Sequence, residues 1–165
     1  VADATYQPAV YRKHGGNELV VANGGVITVE AGGSIATVHE IVTAANTITA
    51  AESGSTYFLN ATAEFASTLP APFLGGRYTF IVTGAPSGAS YTVAGASGTP
   101  IHGMVLSKDL NGVTDSGATA GTGVLTLTFV DGKAQKGDRA DFVSDGTDWY
   151  VVAVTGGNFD AITLS

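Results

Sequence analysis

From residue 51 onward the apolar positions of this chain alternate with polar ones at the two-residue period of a strand. Thr56–Asn60 sets Tyr57 and Leu59 on one face. In Arg77–Thr83, Tyr78, Phe80 and Val82 alternate with Thr79, Ile81 and Thr83. Tyr91–Ala94 and Ile101–Leu106 read as further strands, and Val124–Val130 directs Leu125, Leu127 and Phe129 to one side. Arg139–Ser144 is predicted to pair with Trp149–Val154 through the hairpin loop Asp145-Gly146-Thr147-Asp148, and the tail NFDAITLS ends in one more strand. Between these runs stand turn formers: the Pro70/Pro72 corner, Gly75-Gly76, Pro86–Gly88 and Asp131-Gly132. Asn111–Gly123, with four glycines, reads as a long loop. Short strands at this spacing predict an all-β protein whose body, residues 51–165, is an antiparallel β-sandwich or jelly-roll.

Residues 1–50 follow another pattern. Paired glycines at 15–16, 24–25 and 32–33 punctuate three β-branched runs, Leu19–Val21, Val26–Val29 and Ile35–Val38. A turn-strand unit this short cannot fill a core alone and must stack on other rungs or other copies. The expectation is a Gly-rich, β-prism or shaft-like segment that oligomerises. Ahead of it, residues 1–14 form an irregular arm in which Tyr6, Tyr11, Arg12 and Lys13 are the candidate intermolecular contacts. Residues 35–50 are extended or hold one short helix.

Composition narrows the function. Of 165 residues only 13% are charged, about half the usual ~25%, and 23 glycines replace much of that polarity. The net charge of −7 leaves no electrostatic footprint for phosphate backbones, so nucleic acid is not an expected partner. With no cysteine, disulfide, thiolate and Cys–metal chemistry all drop out. No apolar run approaches the ~18 residues of a membrane span, and no charged segment followed by an apolar one opens the chain. Neither a membrane nor a Sec-type route is expected.

No catalytic or metal-binding pattern in the sequence is complete. His14, His39 and His102 show no metal spacing. Asp138, Asp141, Asp145 and Asp148 gather near one hairpin, but without a calcium-loop pattern; Asp145 and Asp148 flank a turn, where Asp bonds local backbone. GASGT at 95–99 is not a nucleophile elbow, and GATAGTG at 117–123 lacks the lysine of a phosphate loop. Of the adjacent pair Trp149 and Tyr150, alternation puts one in the core and leaves the other as a platform for stacking or packing. The reading is non-enzymatic, with no catalytic residues, no metal and no cofactor.

Five stretches carry a family resemblance: STYFLN (55–60), STLPAPFLGGRYTFIV (67–82), IHGMV (101–105), KGDRADFVSDGTDWYVVAVTG (136–156) and the leader GGNELVVANGGVITVEAGGSI (15–35). In this order they resemble capsid decoration, or cement, proteins of tailed bacteriophages, including head-fibre types. The resemblance implies a homotrimer on the outer surface of the virion. There it would clamp neighbouring subunits of the major capsid protein and stabilise the head shell. The alternative is a glycan- or host-binding fibre or tail module.

Overall fold

A computed structural model describes residues 10–12, 15, 19–31, 33, 38–61, 63–107, 118–156, 158 and 160–165. The chain divides into two units, Val1–Ala36 and Thr37–Ser165.

In the first unit, β1 (Val10–Arg12) and β2 (Leu19–Val21) pair antiparallel, with Tyr11 opposite Val20. Gly24, at a φ of +82°, turns the chain that leaves β2. Val26–Val29, expected as a strand, is not one: it has no ladder partner among the described residues, and Val26, Ile27 and Val29 are exposed. Ile35 lies outside the described residues. The shaft expected of the glycine-spaced rungs is therefore represented among the described residues by a single two-stranded pair.

The second unit is an all-β sandwich. Its strands are β3 (His39–Val42), β4 (Asn46–Thr47), β5 (Thr56–Leu59), β6 (Phe65–Thr68), β7 (Leu74–Val82), β8 (Tyr91–Ala94), β9 (Ile101–Ser107), β10 (Ala118–Val124), β11 (Thr126–Phe129), β12 (Arg139–Asp145), β13 (Trp149–Thr155) and β14 (Ile162–Leu164). One sheet has seven strands in the order β10-β9-β13-β12-β7-β5-β3; the other has five, β14-β11-β8-β6-β4. From β3 to β9 the chain enters the two sheets alternately. Successive strands of one sheet then run the same way, which makes β3, β5 and β7 mutually parallel, and β4, β6 and β8 likewise. Local hairpins keep β12 antiparallel to β13 and β10 antiparallel to β9. The pairing is thus mixed rather than wholly antiparallel, because crossovers between layers outnumber hairpins in the first half of the body.

Two boundaries differ from expectation. β3 and β4 add edge strands to the two body sheets, so the body begins at Thr37 rather than 51; residues 39–47 are extended, and the only helical turn nearby is the 3₁₀ turn Ala50–Glu52. The end of the supposed loop 111–123 is β10, an edge strand of small residues on β9; residues 111–117 lie outside the described set.

The space between the sheets is filled by aromatics. Tyr57 stacks on Phe80 at 5.2 Å, Phe142 meets Phe80 edge-on at 5.6 Å, and Tyr78 packs against Trp149 at 5.5 Å. From the five-stranded sheet come Phe65 and Tyr91, stacked at 4.6 Å, with Val93, Leu127 and Phe129 beside them. Polar tips are satisfied at the rim: Trp149 Nε1 donates to the Pro70 carbonyl at 3.1 Å, and Tyr78 Oη to that of Thr49 at 2.8 Å. Tyr91 Oη accepts from the Ala61 N–H and lies 2.7 Å from the Ala61 carbonyl and 2.9 Å from that of Gly84. Buried polar groups that lose such partners are costly. Tyr91→Phe is therefore expected to lower unfolding stability by about 1–3 kcal/mol, read as a shifted urea midpoint at unchanged slope.

Candidate interaction surface

Every strand of the seven-stranded sheet that buries one set of side chains must present the other set outward. The register aligns those outward residues in rows across the sheet. One row runs Ile41, Phe58, Ile81, Arg139, Val154, Leu106. The next runs His39, Thr56, Thr79, Asp141, Val152, Met104, and a third Arg77, Val143, Tyr150, His102. Ile41, Met104, Leu106, Val143, Tyr150, Val152 and Val154 are all exposed. Between β7, β12, β13 and β9 the face dips into a shallow trough of about 620 Å³, lined by Arg77, Thr79, His102, Met104, Arg139, Asp141, Val143, Tyr150 and Val152. Gly103 lets β9 approach β13 here: a Cβ would collide with the Val151 carbonyl oxygen.

The polar groups of the trough are mostly held by one another. Arg139 grips Asp141 with two bonds of 2.7 Å, Nε to Oδ2 and Nη2 to Oδ1, and Thr79 Oγ1 donates to the same carboxylate at 2.7 Å. That bidentate bond holds the guanidinium above its ordinary pKa. His102 Nδ1 accepts the Gly123 N–H at 3.0 Å, so a neutral ring carries its proton on Nε2, 3.5 Å from Asp148 Oδ2. Its ring lies 5.8 Å from that of Tyr150 at 31°, making a small aromatic platform. Tyr150 Oη donates to Asp145 Oδ2 at 3.0 Å. Arg77 is exposed, and its guanidinium has no partner among the described residues.

Within the acidic cluster, Asp145 and Asp138 serve backbone N–H groups. Asp145 Oδ1 accepts the N–H groups of Thr147 and Asp148 at 2.8 and 3.0 Å, and these bonds lower its pKa. Asp138 is buried and accepts from Gln135 and Gly156. Among the described residues no three His, Cys, Asp or Glu side chains are grouped to hold a metal, and no helix is long and apolar enough to cross a membrane.

Of the contact residues expected in the arm, Tyr11 and Arg12 fall in β1, with Tyr11 half-buried; Tyr6, Lys13 and the Arg12 side chain lie outside what the structure describes. None belongs to the body, so the sheet face is a surface the sequence reading missed. Its signal was the run Trp149–Val154, apolar at every position: a strand apolar on both faces is one with both faces to cover. No family model and no curated protein matches the chain.

Hydrogen bonding to Asp145 is also what raises the pKa of Tyr150 most, with the carboxylate charge adding to it. A raised phenol pKa contributes stability that is complete below the unfolded value and lost as pH climbs through the folded one. Asp145→Asn keeps an acceptor for the turn but removes the charge. The Tyr150 ring resonance, followed by NMR from pH 8 to 12, should then titrate lower than in the wild type, toward ~10.

Proposed function

We propose that this protein is a non-enzymatic structural component of a phage virion, a decoration protein that self-associates as a trimer on the outer capsid surface and stabilises the head. The observation that carries the reading is the open face of the seven-stranded sheet, whose apolar area is of the kind that marks protein contacts rather than a reactive pocket. The pieces that carry the resemblance also meet in space: the TLPAP corner accepts the indole N–H of the DGTDWY hairpin at Pro70, joining them into one rim of the sandwich. A mechanical clamp needs broad, shape-fitting surface, and several copies engaging together gain avidity without tight individual contacts.

The competing module, a glycan or host receptor binder, is favoured by one feature, the Tyr150–His102 platform, with Arg77 two strands away in the same trough. An exposed aromatic platform with a guanidinium in the same trough suits a sugar ring. Cosedimentation separates the two. Purified protein should pellet with heads stripped of decoration and should raise their thermal rupture temperature, while a glycan array stays blank. Protein left in the supernatant, with saccharides bound at Tyr150, would reverse the order of the readings.

A further inference from the structure

The edge strand β10 ends in a bulge. Its ladder with β9 runs as far as Gly121 opposite Gly103 and resumes at Val124 opposite Ile101, so Thr122 and Gly123 stand outside the pairing. Gly123 takes a φ of +67° there, and its N–H donates to Nδ1 of His102 at 3.0 Å instead of to a carbonyl. This bond holds the place where the chain leaves the seven-stranded sheet. One residue after Val124, the Leu125 N–H already donates to the Ser165 carbonyl beside the five-stranded sheet.

Acid–base chemistry makes the bond conditional. A ring nitrogen that accepts an N–H carries no proton, so neutral His102 can gain its second proton only at Nδ1. Protonation turns the acceptor into a donor, and two N–H groups then face each other. The new charge has a counter-ion at hand. Asp148 Oδ2 lies 3.5 Å from Nε2, too far for a good neutral hydrogen bond and close enough to be drawn into a charge-assisted one. The other ionisable groups around the ring are few. β10 carries none, and β9 none besides His102 itself. From β13 the ring meets Tyr150, whose hydroxyl is bonded to Asp145. Farther along the trough, Arg139 is paired with Asp141, and Arg77 stands beyond them on β7.

We infer that His102 is a proton-operated latch on the edge of the seven-stranded sheet: neutral, it holds Gly123 and the bulge of β10; protonated, it releases Gly123 and pairs with Asp148. Acidification thereby frees the end of an edge strand while the aromatic core, which contains no histidine, keeps its packing. The latch uses only contacts within the second unit and goes beyond the decoration reading without resting on it.

The test is NMR of the isotopically labelled full chain as pH is lowered from about 8 to about 5, the span in which histidine side chains titrate. At the upper end the ring nitrogens of His102 should report the proton on Nε2. As the ring titrates, the Gly123 amide proton should move upfield with the same midpoint. Its protection from hydrogen exchange should fall on the order of fivefold, the worth of one hydrogen bond. Asp148→Asn should carry both midpoints to lower pH together. His102→Asn, whose Oδ1 replaces Nδ1 as an acceptor that does not titrate, should leave Gly123 flat. A Gly123 resonance that stays in place while the ring titrates overturns the inference, as does one that still follows pH in His102→Asn. A neutral ring with its proton on Nδ1, or a ring that does not titrate in this span, overturns it too. The wild-type titration decides the matter even where a variant does not fold.

Discussion

Alternation within a strand couples the two faces of the seven-stranded sheet. Tyr57, Tyr78, Phe80, Phe142, Trp149 and Val151 fill the space against the five-stranded sheet. A slip of one residue in any of these strands would eject an aromatic ring from a core where neighbouring rings stand 5 to 6 Å apart. The register is therefore set by the interior, and with it the identity of every outward residue. Val152 and Val154 face out because Trp149, Val151 and Ala153 face in. The sandwich does not need an apolar outer face for its own stability, so the valines there answer to something else.

Reading from sequence worked where one face is apolar and the other polar. β5, β7, β8 and β12 were found that way, β13, apolar on both faces, was found as the hairpin partner of β12, and the four-residue loop between Ser144 and Trp149 was right to the residue. It worked less well where strands are short or bland. β4 has two residues, and β10 is ATAGTGV, whose composition is that of a loop; each is a strand only because a neighbour offers an open edge. The reverse error fell on Val26–Val29, strongly β-prone yet without a ladder partner among the described residues. Propensity describes what a segment tolerates, while pairing decides what it becomes. Parallel pairing was illegible for the same reason: it follows from the chain's path between layers, which no local pattern records.

The candidate surface was half legible. That one of Trp149 and Tyr150 would be core and the other exposed followed from alternation, and the structure buries Trp149 and exposes Tyr150. The assembly of rows was not foreseeable, because Ile41, Ile81, Met104 and Val152 lie far apart in sequence and come together only through the sheet order. The acidic residues near the hairpin were read as turn chemistry, and Asp145 bonds its own loop as expected. Asp141 behaves differently. It binds Arg139 two residues away on the same face and Thr79 across the strand pair, the second contact depending on the β7–β12 register.

The low charge of the chain acquires a reason in this arrangement. A solvated outer face on a seven-stranded sheet would ordinarily carry lysine and glutamate, which also discourage edge and face aggregation. Here the middle of the face carries two arginines and one aspartate among valines, methionine and tyrosine, and two of those three charges cancel each other. Such a face resists water weakly and resists a partner hardly at all. What limits indiscriminate association is the remaining −8, which repels other acidic surfaces, further copies of this chain among them, unless local contacts at Arg77 and Val152 outweigh the repulsion. Specificity on this surface is thus a matter of charge placement, and attraction a matter of apolar area, with the sheet register holding the two in fixed relation.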